Sequence, residues 1–315
     1  MSTLPKALRE YVALRRALGA QFTTDEATLQ RFVEFAGHEG ADVITIDLVL
    51  RWATAPGRAS TRTRAVRLGV VRRFAAWLSA TDPRTEVPPK DLLPSRPVRR
   101  PPYIYTDDEI ERIVEAASRL TSPKGLRALT FETLFGLLAV TGLRLSEALG
   151  LDRDDVDLRG GVLTVRRAKS GKSRFVPLHD STCVALRRYA LRRDRLLPRT
   201  TAPAFFVTER GTRVIGSNAE QTFAVVSRMI GLRPPAKKWD DRGHGPRLHD
   251  MRHRLAVRTL IRWYREGRDV ERELPKLVTY LGHSHVADTY WYFEAVPELL
   301  QLASRRATLP REATL

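Results

Sequence analysis

Residues 87–102 read VPPKDLLPSRPVRRPP. Each proline fixes φ near about −65°, removes a backbone donor and pushes the residue before it out of the helical region. No helix and no central strand can run through such a stretch, so the chain on either side must fold separately. The length agrees: at roughly 150 residues per domain, 315 residues make about two domains. The expected division is a domain over 1–95, a basic linker over 96–105 carrying Arg96, Arg99 and Arg100, and a second domain over 106–315. With 43% hydrophobic residues both parts can bury cores.

The block before the joint reads as four helices. Residues 4–18 set Leu8, Val12 and Leu18 among basic residues. Thr24 or Asp25 can cap a helix through Phe35, with Leu29, Phe32 and Val33 apolar. Residues 47–53 form a shorter helix that ends before Pro56 and Gly57. Residues 60–79 place Val66, Val70, Phe74 and Trp77 on one stripe. Around that stripe lie Arg58, Arg62, Arg64, Arg67, Arg72 and Arg73, with no acid between Asp47 and Asp82. Solvated helix faces normally carry both signs. An arginine face without carboxylates is self-repelling until an anion neutralises it, which singles out Arg62, Arg67 and Arg72 as candidate DNA contacts.

After the joint, Thr106 caps a helix whose first turn holds Asp107, Asp108 and Glu109, as the helix dipole prefers. A long apolar helix runs to about Val140. A second short one spans 145–149 beyond Thr141 and Gly142. Gly160 and Gly161 mark a turn, and residues 162–166 and 174–178 alternate as two strands joined by Ala168-Lys169-Ser170-Gly171-Lys172. The remainder reads as helix interrupted by one long loop over 233–246, where Lys237 and Lys238 are further candidate DNA contacts. The fold class is mainly α with a small antiparallel β-sheet.

Charge narrows the partner. Lys and Arg number 54 against 36 Asp and Glu, a net +18. Such a surplus points to nucleic acid before membrane. The most apolar stretch, 126–143, carries Arg127 and Glu132 and reads as a buried helix. The N-terminus lacks the uninterrupted apolar region of a secretory signal. The single cysteine, Cys183, excludes a disulfide scaffold and a Cys-built zinc or iron–sulfur site, so a reducing cytoplasmic compartment is expected.

Four constellations carry chemistry. Arg144 sits between Leu143 and Leu145, three residues before Glu147 on one helix face; an ordinary ion pair would look the same, but a guanidinium in apolar surroundings favours an oxyanion. Lys169 stands on the hairpin turn, with Lys172 its rival. His249 and Arg252 converge three residues apart in LHDMRH. His249 and His253 have metal-ligand spacing, but the glutamate of a zinc helix is absent and Arg252 would repel a cation. Last comes LGHSHVADTYWY, with His283 and, nine residues later, Tyr292.

Arg, hairpin Lys, His-x-x-Arg, Gly-His and Tyr in this order resemble the catalytic domain of the tyrosine recombinases, the phage-integrase family, over about residues 106–296. The resemblance makes the first block a helical core-binding domain. It makes Arg144 and Arg252 phosphate clamps, His249 and His283 their histidine companions, Lys169 the hairpin lysine and Tyr292 the nucleophile, with Tyr290 its nearest rival. Glu147 would orient, and His253 would be structural. It also implies a site-specific recombinase or integrase that acts on double-stranded DNA without metal, ATP or other cofactor. Such enzymes work as tetramers on paired sites, alone or with related recombinases, and residues 297–307 would either fold back on their own domain or dock on a neighbouring subunit. Arg99, Arg100 and Lys172 join the expected DNA contacts.

The chemistry follows. A phenol titrates near about 10 and attacks poorly until its proton is removed or its phenolate stabilised. Two arginines can hold the non-bridging oxygens of the pentacoordinate phosphorane, each such donor being worth roughly 3–4 kcal/mol; His249 and His283 can donate further bonds and help move the tyrosine proton, while Lys169 protonates the leaving 5′ oxygen. The 3′-phosphotyrosine keeps the bond energy, so a 5′ hydroxyl from another strand can reverse the step. The competing readings are a type IB topoisomerase and a catalytically silent DNA-binding protein of the same fold. All three share a basic clamp, and that is directly testable: apparent affinity for duplex DNA should fall about 1,000-fold or more between about 50 and 200 mM salt if six or more phosphates are neutralised. Fluorescence anisotropy across that range reads it, and a flat response contradicts the clamp.

Overall fold

The computed structural model describes residues 3–20, 22–55, 60–94, 101–166, 173–235, 245–282 and 287–308. It divides into two compact units, Met1–Arg100 and Pro101–Leu315.

The first unit contains α1 (Leu4–Ala17), α2 (Thr23–His38), α3 (Ile46–Thr54) and α4 (Thr61–Leu78). Thr45 and Ser60 start α3 and α4 by accepting hydrogen bonds from the Leu48 and Thr63 amides. The start of α2 differs from the expected Thr24 or Asp25 cap. Phe22 is its N-cap and makes no side-chain cap bond. Phe22 is buried edge-on against Tyr11, so tertiary packing fixes that end. Tyr11 also meets Phe74 and Trp77, and Phe32 meets Trp52, which ties the four helices into one core. The arginine face of α4 is less bare than its local sequence implies. Arg73 pairs with Asp25 of α2 at 2.8 Å, and Arg67 lies 5.9 Å over the Trp52 ring.

In the second unit the chain enters extended. Tyr105, counted with the linker by the sequence, is buried in the core and donates to the Arg247 carbonyl at 3.1 Å. Thr106 and Glu109 form a reciprocal capping box on α5 (Asp107–Ser118). The apolar α6 (Leu126–Thr141) lies at the centre, with Leu134 and Phe135 fully buried. Gly142, in the left-handed region at φ 61°, ends it and turns the chain into α7 (Leu145–Gly150). A single 3-10 turn, Arg153–Asp155, leads to β1 (Val156–Asp157), β2 (Val162–Val165) and β3 (Arg174–Pro177). The sheet is antiparallel in the order β1-β2-β3, with Leu163 opposite Val176. Alternation in the sequence predicts β2 and β3; β1, two residues long, is too short to show it.

The rest of the unit is built on α8 (Asp180–Leu196), α9 (Gly216–Met229), α10 (Leu248–Arg265), α11 (Val270–Leu281), α12 (Ala287–Ala295) and α13 (Pro297–Thr308). A second long non-helical stretch, 197–215, lies where the sequence pattern reads as mostly helix. It drives Phe205 and Phe206 into the core beside Tyr189 and pairs through bridges at Ala204 and Val207. A smaller core joins Trp263 and Leu260 of α10, Leu277 of α11, Tyr292 of α12 and Leu299 of α13. Within the single chain α13 therefore packs on its own unit, its amphipathic pattern burying Leu299 and exposing Leu300. No helix among the described residues is long and apolar enough to cross a membrane.

Gly142 is doubly constrained. An added Cβ would sit 2.7 Å from Cδ2 of Leu255, in a backbone conformation that L-residues avoid. Gly142→Ala should destabilise the chain by about 2 kcal/mol, read as a lowered midpoint in denaturant unfolding of the full chain. An unshifted midpoint would contradict this account of the turn.

Candidate active site

Three backbone features place the charged groups. The turn at Gly142 brings Arg144 to the N-cap of α7. α10 carries His249, Arg252 and His253 within its first two turns. α11 ends at Gly282, again left-handed at φ 65°, which leaves the carbonyls of its last turn pointing outward. Arginines converge on those carbonyls. Arg144 Nη2 donates to Gly282 O at 2.9 Å, Arg252 Nη2 donates to Leu281 O, and Arg174 Nε donates to Tyr280 O at 2.9 Å. Arg252 Nη1 also reaches Gly142 O at 2.8 Å, joining α10 to the turn that carries Arg144. The negative end of a helix dipole suits this gathering of cations.

Glu147 is the counter-charge. It receives Arg144 Nη1 at 2.8 Å and the Arg144 amide at 3.0 Å. From β3 it receives Arg174 Nη2 at 2.8 Å and Nη1 at 3.1 Å. Its side chain is 6% exposed. Burial alone would raise its carboxyl, but the bonds from Arg174 and Arg144 outweigh that and hold it at about 2. It orients the two arginines and is charged throughout the physiological range.

Arg252 is 2% exposed. Burial, then the neighbouring Arg144 charge, lowers it to about 10. Within this cluster Glu147 thus stands against the guanidinium groups of Arg144, Arg174 and Arg252, and an incoming phosphate diester would supply further negative charge. His249 is pushed down to about 4, by burial first and the Arg252 charge second, so it is neutral at pH 7 and can donate a hydrogen bond without adding charge. Its ring meets that of His253 edge-on at 4.6 Å. His253 Nδ1 lies 2.8 Å from the Tyr292 hydroxyl, and Tyr292 is 1% exposed. Tyr290, two residues earlier, is 53% exposed.

Arg144 and Arg252 are thus linked through the Gly142 turn and the end of α11, and His249 and Tyr292 through His253; the two sets, up to 148 residues apart in sequence, meet on α10. Lys169, Lys172, His283, Arg99, Arg100, Lys237 and Lys238 lie outside the described residues. The flanks of two of them are described: β3, after the hairpin, delivers Arg174 to Glu147, and Gly282, before His283, accepts from Arg144. Arg62 and Arg72 lie on α4, Arg62 exposed and Arg72 half-buried. Sequence reasoning misses Arg174 and passes over His253. An arginine in a strand carries no local signal; only its reach to Glu147 gives it a part.

Guanidinium groups gathered at one helix end, with a buried tyrosine hydroxyl against a histidine of α10, suit a class of enzyme that handles the phosphates of nucleic acid. Comparison with known proteins agrees. A sequence model of the phage integrase family matches residues 104–298. A candidate integrase/recombinase of Sinorhizobium fredii, y4rB, is 47% identical over 311 residues, covering 97% of each chain. The tyrosine recombinase XerC of Mycobacterium sp. strain JLS is 30% identical, over 93% of this chain and 94% of its own. The solved Tn1549 transposon integrase, in complex with transposon right end DNA, has the same fold at a TM-score of 0.62 and 17% identity, over 96% of this chain and 99% of its own. The chain belongs to the phage integrase family, the tyrosine recombinases.

Glu147→Gln should cost about 3 kcal/mol at neutral pH, because it strips the charge from a buried partner of two arginines. The folded-state value lies below the ordinary 4.5, so the carboxylate's contribution is complete above that pH and fades as pH falls toward about 2. Unfolding curves of the two proteins should therefore converge in acid. A constant gap down to the acid end would mean that the ion pairs do not hold Glu147.

Proposed function

We propose that the chain is a site-specific DNA recombinase that cleaves and rejoins one strand at a time through a 3′-phosphotyrosine on Tyr292. The observation that carries this reading is the convergence of Arg144 and Arg252 on the last turn of α11, with the Tyr292 hydroxyl held 2.8 Å from His253, the residue after Arg252. In this reading the two guanidinium groups bind the non-bridging oxygens of the scissile phosphate and stabilise the phosphorane. His249, neutral, donates a further bond, and His283 adds another from the position after Gly282. Lys169 protonates the 5′ oxygen as it leaves. Arg174 and Glu147 hold Arg144 in register.

The first unit serves as a helical clamp on the duplex, with Arg62, Arg67 and Arg72 on phosphates and Arg99, Arg100, Lys172, Lys237 and Lys238 extending the track. Arg67 does this with its guanidinium braced on Trp52. Exchange of strands between two sites requires four active tyrosines, so the working form is a homotetramer on paired double-stranded sites. There α13 leaves its own α10 and α12 and docks on a neighbour. The seat it enters is the same apolar surface as the one it vacates, which keeps the exchange inexpensive. The work is done in the cytoplasm, on the nucleoid. A mobile element is a fitting setting, and transposition or integration the fitting outcome.

Tyr292→Phe should abolish covalent attachment to DNA while Tyr290→Phe keeps it, both read by denaturing gels of suicide duplexes after incubation with the full chain. Adduct formation by Tyr292→Phe would sink the assignment. Relaxation of any supercoiled plasmid, without paired sites, would move the protein to the topoisomerases.

A further inference from the structure

The sequence offers His249 and His283 for the phenol proton, but a different histidine meets the hydroxyl. We infer that His253 is a catalytic residue of this site: its Nδ1 receives the Tyr292 proton as the phosphotyrosine bond forms. This rests on the reading of Tyr292 as nucleophile.

The geometry is specific. Nδ1 of His253 and the Tyr292 oxygen are 2.8 Å apart, and the two rings meet edge to face at 5.4 Å. Tyr292 is buried, so its proton passes most directly to a protein group already in contact with the hydroxyl. Arg252 is a cation and cannot accept it. Glu147 is committed to Arg144 and Arg174. The His253 ring is held in place on two further sides, by the edge of His249 at 4.6 Å and by Trp291 at 5.5 Å. A base fixed by packing at hydrogen-bond distance from the nucleophile is what activation of a weak phenol needs. His249 meets the His253 ring rather than the hydroxyl, at 4.6 Å edge-on.

The step balances. The Tyr292 O–H bond breaks and its proton moves to His253 Nδ1. The tyrosine oxygen bonds to phosphorus, the bond from phosphorus to the 5′ oxygen breaks, and that oxygen takes a proton from Lys169. On rejoining, the incoming 5′ hydroxyl returns its proton to Lys169, the phenolate leaves phosphorus, and His253 gives back the proton it stored. The imidazolium formed in between lies beside the phosphorane, where its charge is favourable.

The test uses the full chain and duplexes recovered from a random-sequence pool by covalent capture on the wild-type protein. Each is made with a normal 5′ oxygen and with a bridging 5′ sulfur, a leaving group that needs no proton. His253→Asn and His253→Ala should slow single-turnover adduct formation about 100- to 10,000-fold on both versions, whereas Lys169→Ala should be slow only with oxygen. Added imidazole should restore His253→Ala at least about 10-fold, a response no misfolded variant can give. Wild-type rates in His253→Asn, a defect that sulfur erases, or indifference to imidazole each overturn the inference. So does faster cleavage, which would make the contact a restraint on a resting tyrosine. If the wild-type chain forms no Tyr292-dependent adduct, the recombinase reading falls first; if it does and the His253 variants match it, only this inference falls.

Discussion

Three arginines share one helix end. Arg144, Arg174 and Arg252 come from a turn, a strand and a helix, and each donates to a carbonyl at the end of α11. Without the left-handed termination at Gly282 those carbonyls would be spent inside the helix, and like charges at this density would separate. Everything else in the site follows from that docking. Glu147 can be buried because two of the arginines enclose it, and Arg252 can be buried because Gly142 and Leu281 satisfy its nitrogens. The backbone thus holds an excess of positive charge in place.

Much of this is legible in the amino-acid sequence itself. The proline run from Val87 onward forbids a continuous fold, and the helices on both sides announce themselves by apolar spacing and by Thr106 and Ser60 at their starts. The order Arg144, His249, Arg252, Tyr292 carries the catalytic resemblance, because each motif keeps its residues on one face of one local element. What stays hidden is what depends on distant partners. Arg174 looks like any strand arginine until Glu147 appears beside it. His253 looks structural until the Tyr292 hydroxyl is found at its Nδ1. Phe22 starts a helix against its own propensity because Tyr11 holds it, and β1 exists only because β2 offers it a partner.

The same logic separates the two units. In the first, the contacts among Tyr11, Phe32, Phe74 and Trp52 make a small self-sufficient core, and surplus arginines are left on its surface. In the second, the core around α6 supports a site built almost wholly from element ends: the N-cap of α7, the start of β3, the first turns of α10 and the end of α11. Element ends carry unpaired backbone groups, and these do the electrostatic positioning that a fold interior cannot.

The seclusion of Tyr292 has a consequence for access. A hydroxyl on a side chain only 1% open to solvent is not offered to molecules that merely brush the surface. Its oxygen is instead presented inward, to the imidazole of His253, so the tightness of that packing is itself a filter on what can reach it.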